Sequence, residues 1–320
     1  MEIYQTKIVE NKKQNKDKLN PLVSVIVITY NSSKYILDTL ESIKNQTYAN
    51  LEIIITDDFS TDETVLLCHQ WIENNRDRFS KTCILTAKQN NGITANCNIG
   101  VQNSKGIWLK LLAGDDCLSE DALSKMIDFT RLHPNCEILH TPVLKFKSDS
   151  TKKIVFEKKF SDHPKVLNDK VPAFKQFEIL TKGCVVNAPA VFMKNTIIRL
   201  CGEFDTEIPN CEDWPYWLKI TKLGIQFYYI NEALAYYRIR EDSIYTSGSK
   251  YFYIGPFYKT EKKIFEKYIE PNISFQQKYI SKYDFFLKDF FSKSSISLIT
   301  KFLFTLLRLP VLVYHRLNRN

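Results

Sequence analysis

The feature that most limits what this chain can fold into is a short, almost continuous apolar run at residues 22–29, Leu-Val-Ser-Val-Ile-Val-Ile-Thr, opened by Pro21. Its β-branched residues leave no polar face, the pattern of a strand buried on both sides of a parallel sheet. Residues 51–56, 82–86 and 107–112 are strand-like in the same way, and each run is followed by a stretch at helical spacing. Residues 32–46 carry Tyr35, Ile36, Leu40 and Ile43 near that spacing. Ser60 with Glu63 makes a capping-box pattern for a helix to about Asn75; residues 94–103 form the next helix, and Ser119 reads as the cap of one to about His133. Four strand–helix units in succession predict an α/β domain with a doubly wound, mostly parallel sheet.

Beyond Pro134 the regularity weakens. Residues 137–147 and 153–160 read as strands that pair, 183–194 as mixed, 213–223 as a short helix, and 225–230 and 233–239 as late strands. From about Tyr251 the pattern is helical to the end, with Pro271 and Pro310 as punctuation, so a soft boundary falls near residues 247 and 248. The expected organisation is a polar N-terminal tail over 1–20, the α/β domain over 21–247, and a basic helical extension over 248–320.

Composition narrows the class. At 44% hydrophobic and 25% charged, the chain carries a globular core. Its eight cysteines include no C-x-x-C pair and several sit in apolar runs, which favours buried free thiols in a reducing compartment over disulfides or zinc. Residues 1–20 show no apolar signal segment, so a cytoplasmic location is expected. Residues 251–320 hold 12 Lys+Arg against 5 Asp+Glu, a net of +7 out of the chain's formal +8. The α/β part is therefore near neutral, which argues against a nucleic-acid enzyme and leaves the tail as the element suited to an anionic surface, either membrane or nucleic acid.

In open α/β sheets ligands bind where the loops converge beyond the carboxyl ends of the strands. Here those ends carry Thr29-Tyr30-Asn31, Asp57-Asp58-Phe59-Ser60 and Gly114-Asp115-Asp116. Neither G-x-G-x-x-G after the first strand nor G-x-x-x-x-G-K-[ST] occurs. Carboxylates at the tips instead suit a diphosphate bridged through a divalent cation, Mg²⁺ or Mn²⁺.

The segments SVIVITYN, IIITDDFSTDET, KQNNGITANCNIGVQNSKGIWLKLLAGDD and CEDWPYWLKI, in this order and spacing, resemble the large family 2 of inverting GT-A glycosyltransferases, over about residues 21–243. The resemblance implies a sugar-nucleotide donor, of uridine diphosphate type, and a glycan or lipid-linked acceptor. It implies that Thr29, Tyr30 and Asn31 pack around base and ribose, and that Asp58, with Asp57 beside it, accepts from the base. Either aspartate alone also reads as the cap of the turn before Ser60. Asn91, Gly92 and Asn98 match the loop and helix start near the donor, Asn98 equally as plain helix surface.

By the same resemblance Asp115 holds the ribose or a metal-bound water and Asp116 is the direct metal ligand. The acid that many relatives carry two residues before the first of these is Ala113 here. Glu212-Asp213 opens a helix with Trp214 and Trp217; Asp213 matches the catalytic base, Glu212 is the alternative, and both also suit a helix N-terminus as charges. The stretch YRIREDSI resembles the family's Y-R-x-H, with Arg240 in the histidine's place. A guanidinium cannot ligate a cation but can pair with diphosphate oxygens, so Arg240, with Arg238, is expected to steady the leaving group or else to form a surface ion pair. A non-catalytic carbohydrate-binding or scaffold relative is the competing reading, which the retention of Asp58, Asp116 and Asp213 opposes.

Residues 295–314 are apolar but interrupted by Lys301, Arg308 and Pro310, which argues against a spanning helix. Two readings remain: an interfacial helix with Lys293, Lys301, Arg308, Arg316 and Arg319 toward anionic lipid, or a terminal helix packed on protein.

Overall fold

The computed structural model describes residues 3–10, 20–148, 154–160, 166–240, 257–292 and 297–317. In chain order the first part comprises β1 (Ile3–Glu10), β2 (Val23–Thr29), α1 (Ile36–Lys44), β3 (Leu51–Asp57), α2 (Thr64–Asn75), β4 (Lys81–Ala87), α3 (Ile93–Gln102) and β5 (Trp108–Ala113). There follow β6 (Cys117–Leu118), α4 (Ala122–Leu132), β7 (Ile138–His140), β8 (Val143–Ser148), β9 (Ile154–Phe160), α5 (Ala173–Leu180), β10 (Phe192–Lys194), α6 (Asn195–Cys201), α7 (Asp213–Lys222), β11 (Phe227–Tyr229) and β12 (Ala235–Arg238). The main sheet has eight strands in the order β1-β4-β3-β2-β5-β10-β7-β11, and a second has four, β6-β12-β8-β9.

The parallel heart is β4-β3-β2-β5, as the four apolar runs require. Every residue of β2 and β3 is buried. Because alternate side chains face opposite sides of a sheet, Val23, Val25 and Val27 join Ile36, Leu40 and Ile43 of α1 and Met126 of α4 in one core cluster. Ile26 instead meets α3, where a Cβ on Gly100 would lie 2.2 Å from the Ile26 methyl. Helices thus cover both faces.

The structure departs from the sequence expectations in a few places. Part of the presumed polar tail is a strand: β1 pairs antiparallel with β4 and closes that edge of the sheet. The expected strand over residues 137–147 is split, because Pro142 has no N–H to donate; β7 stays in the main sheet and β8 pairs antiparallel with β9 in the second. The capping box on Ser60 is not formed. Glu63 occupies the cap position without a side-chain bond, Asp62 Oδ1 accepts from the Thr64 N–H at 3.0 Å, and the Ser60 hydroxyl turns to Asp57. Likewise Asp121 rather than Ser119 stands at the head of α4, and the Ser119 hydroxyl donates to the Asp121 carboxylate at 3.0 Å.

The chain divides into two compact units, 1–239 and 240–320; the boundary expected near residues 247 and 248 lies outside the described residues. The second unit contains α8 (Tyr258–Ile264), which runs on as a π-helical turn to Ile269, then α9 (Phe275–Ser292), α10 (Leu298–Leu307) and α11 (Leu309–Leu317). Tyr258, Leu287, Phe291 and Phe304 form its small core.

Alanine at Gly100 gains up to ~1 kcal/mol of helix propensity but must displace Ile26 from a fully packed sheet. Gly100→Ala is expected to be less stable by roughly 1–2 kcal/mol net, measured by denaturant unfolding against the wild type.

Candidate active site

The rim is built at the carboxyl ends of β2, β3 and β5. Thr29 is buried, and its hydroxyl donates to Asp57 Oδ2 at 2.9 Å. Asp57 also accepts the Ser60 N–H at 2.8 Å and the Ser60 hydroxyl, so its carboxylate is consumed in holding the turn. Of the two functions open to Asp57 in the sequence, the structural one prevails. Asn31 takes a left-handed conformation (φ 48°), accepts the Thr61 N–H on Oδ1 at 2.9 Å, and donates its own N–H to the Ser60 hydroxyl at 2.8 Å. The β2 and β3 loops are thereby stitched together, leaving Tyr30 and Phe59 exposed on the rim.

Asp58 has a different task. Its two carboxylate oxygens accept the backbone N–H groups of Asn91 at 2.9 Å and Gly92 at 2.8 Å, fixing the loop before α3. Burial raises its pKa, while the two N–H donors act the other way. Gly92 is at φ 88°, and a Cβ there would stand 2.8 Å from the Pro209 carbonyl oxygen, so only glycine fits. Immediately after it, the Thr94 N–H and hydroxyl donate to the carbonyls of Pro209 and Ile208 at 3.2 and 2.7 Å. Asn98, expected near the donor, is buried and spends both ends of its amide on the Phe204 backbone, at 2.9 and 3.0 Å. A series of bonds thus runs from Asp58 through Gly92 to residues 204–209, which lead into Glu212 and Asp213.

Asp116 is buried, and its Oδ1 accepts the backbone N–H of Arg238 at 2.9 Å. The Arg238 guanidinium donates to the Asp115 carbonyl at 2.7 Å and to Asp38 at 2.8 Å, and lies over Phe146 and Tyr35, 4.3 and 4.8 Å from their ring centroids. Arg238 is therefore an internal tie between β12 and the β5 tip, not the leaving-group contact expected for it. Arg240 is the first residue of the second unit. Beneath the tip, the fully buried Lys110 donates its ammonium to the carbonyls of Pro189 and Val191, the latter at 3.1 Å. Burial pushes its pKa down to about 7.

Asp115 and Asp116 supply hard oxygen donors side by side. Among the described residues no group of three His, Cys, Asp or Glu is placed to hold a metal. The pair fits a cation that takes one or two carboxylates and completes its shell with phosphate and water oxygens, as Mg²⁺ does, and does not fit an all-protein cage.

Glu212 and Asp213 stand at the start of α7 and line a mainly apolar cavity of about 60 Å³ with Ile28, Ala113, Cys97 and Pro189. The acid pair therefore borders the ends of β2 and β5. Asp213 receives the Trp214 N–H at 2.6 Å, the Cys211 thiol at 3.3 Å and the Cys184 thiol at 3.9 Å. Burial raises both carboxyls, and the charge of Asp213 raises Glu212 further. The hydrogen bonds gathered by Asp213 oppose the rise that burial imposes on it, which favours Asp213 as the charged member of the pair. Trp214 donates its ring N–H to the Leu180 carbonyl at 2.8 Å, and Trp217 is core.

Several contributors were not foreseen. The amide of Asn96 clamps the β2 and β3 ends by donating to the Thr29 and Thr56 carbonyls at 3.2 and 3.0 Å, two positions from the Asn98 that the motif suggested. The left-handed Phe59 (φ 67°), Lys110 and the two thiols carried no sequence signal.

Residues 24–176 match the family described as Glycosyl transferase family 2. EpsE of Bacillus subtilis (strain 168), which carries a glycosyltransferase designation, is 27% identical over 225 residues, 70% of this chain and 74% of its own. An uncharacterized glycosyltransferase of Haemophilus influenzae is 29% identical over 68% of this chain and 66% of its own. The minor teichoic acid biosynthesis protein GgaB of Bacillus subtilis is 27% identical over 71% of this chain but only 24% of its own length. Among solved structures, residues 1–349 of S. aureus TarS with UDP-GlcNAc superimpose with a TM-score of 0.59 at 20% identity, covering 84% of this chain and 72% of that one. The mannosyltransferase PcManGT of Pyrobaculum calidifontis, solved with GDP-Man and Mn²⁺, gives 0.53 at 17% identity over 71% and 59%. The fold is GT-A-like. Over residues 24–176 the chain is similar to glycosyltransferase family 2, and the relatives it matches carry glycosyltransferase names.

A carboxyl whose pKa is higher folded than unfolded takes up a proton on folding; it has no effect on stability below the unfolded value and becomes increasingly unfavourable as pH rises toward the folded one. For Glu212 the unfolded value is near 4.5. Glu212→Gln is therefore expected to match the wild type in melting temperature near pH 4.5 and to exceed it by about 2–4 °C at pH 8, read by calorimetry at both pH values.

Proposed function

We propose that the chain moves a sugar from a nucleoside-diphosphate donor, of uridine type, to a hydroxyl of a glycan or lipid-linked acceptor in surface polysaccharide synthesis, with inversion at the anomeric carbon, on the cytoplasmic side of the membrane. The observation that carries this reading is that Glu212 and Asp213 line one cavity with Ala113, the last residue of β5 and two positions before Asp115, with Asp58 tied to the same rim through Gly92 and Pro209. The relatives in teichoic acid synthesis and the UDP-GlcNAc bound by TarS support the donor and the pathway class.

On this reading Tyr30 and Asn31 flank the base and ribose. Each carboxylate oxygen of Asp58 holds one N–H and keeps a second acceptor site, enough for an N–H of the base as well. Asp115 faces the ribose. A divalent cation, Mg²⁺ or Mn²⁺, held by Asp116 with Asp115, would offset the charge that grows on the departing diphosphate. Asp213 takes the proton of the acceptor hydroxyl as that oxygen attacks from the side opposite the nucleotide. Glu212, kept protonated, leaves one negative charge at the base position rather than two. One displacement completes the transfer, and no covalent intermediate on the protein is required.

Replacing the base while keeping its shape separates chemistry from donor binding. Asp213→Asn is expected to lower the transfer rate by about 10²–10⁴-fold with UDP affinity unchanged, measured with a panel of UDP-sugars. A rate within tenfold of the wild type would remove Asp213 from the role of base.

A further inference from the structure

The second unit has more apolar surface than its own core uses. Within α10, Leu298, Phe302 and Leu306 recur every fourth residue and form one stripe, exposed at 87%, 65% and 47%. Phe304, on the opposite side of that helix, is buried in the unit's core against Phe291. The pattern repeats in α11, where Val311 is buried while Leu309, Val313 and Leu317 face outward. Arg308, between the helices, is bonded to Asp284 of α9, with Nη2 at 3.2 Å from Oδ2, which fixes the elbow. The helices are thus packed on protein by one face and present a second apolar face to solvent. Large apolar side chains recurring along one exposed face of each helix point to an interaction surface.

The charge around that face selects its occupant. From Phe290 to Asn320 the chain contains no Asp or Glu and five basic residues: Lys293, Lys301, Arg308, Arg316 and Arg319. Of these, Lys293 and Arg319 lie outside the described residues. A second copy docked here would bring the same excess of basic residues against itself. An anionic lipid surface would complement it, with the apolar stripe entering the headgroup boundary and exposed basic side chains such as Lys301 and Arg316 meeting lipid phosphates. The break at Arg308 keeps α10 and α11 short, and among the described residues no helix is long and apolar enough to cross a membrane.

We infer that the outer face of α10 and α11 is a monotopic docking surface for an anionic membrane. Vesicle binding needs neither donor nor acceptor, so it is read independently of transferase activity.

The test is co-sedimentation of the full chain with vesicles of phosphatidylglycerol or of phosphatidylcholine. The expected result is salt-sensitive binding to the former and little to the latter. Phe302→Glu with Leu306→Glu should abolish it, and Lys301→Gln with Arg316→Gln should weaken it about tenfold or more. Circular dichroism checks that each variant is folded. Three results would overturn the inference: no binding of folded wild type to phosphatidylglycerol, unchanged binding by the Phe302/Leu306 variant, or a stable dimer by light scattering that the same variant dissociates.

Discussion

The carboxylate of Asp58 is the constraint on which the rest of the rim depends. It accepts two consecutive backbone N–H groups, Asn91 and Gly92, that begin no regular element and have no ladder to join. Losing a buried acceptor of this kind costs about 1–3 kcal/mol for each group left unsatisfied. The local consequence is larger than the energy. With the loop held, Gly92 presses against Pro209, and the segment that leads to Glu212 and Asp213 can run only where the Pro209 and Ile208 carbonyls meet Thr94. An aspartate at the tip of β3 thus helps set the position of an acid 155 residues further along the chain.

Around this frame the protein distributes charge by burial. Arg238 lies inside, between two aromatic rings, with its backbone N–H on Asp116. Lys110 spans from below the tip to Pro189, which lines the same cavity as the acid pair. These internal cations ease the burial of the Asp116 charge, and the hydrogen bonds on Asp213 oppose the rise that burial imposes on its carboxyl.

Much of the fold was legible because the strands are apolar throughout. Runs such as residues 22–29 and 51–56 can exist only between two layers of helices, and the parallel order follows from the helices between them. What the sequence concealed was decided by hydrogen bonds. Ser60 and Ser119 look like caps, but nearby aspartates took their hydroxyls. Asp57 and Asp58 are neighbours of one chemistry, yet one is consumed by Thr29 and Ser60 while the other reaches Gly92 across 34 residues. Asn96 and Asn98 are equally polar in the string, and the helix turns both inward to different backbone partners. The two-sided tail helices posed the same problem, since an apolar pattern does not say which half of its surface remains uncovered.

On the proposed function, one rim binds a diphosphate through a cation between the tips of β2, β3 and β5. Calorimetric titration of UDP, with Mn²⁺ and again with a chelator, tests it most directly on wild type and Asp116→Asn. Wild type is expected to bind UDP only in the presence of the metal, and Asp116→Asn to lose that binding. Equal UDP affinity with and without metal, or an unchanged metal requirement in the variant, would contradict it.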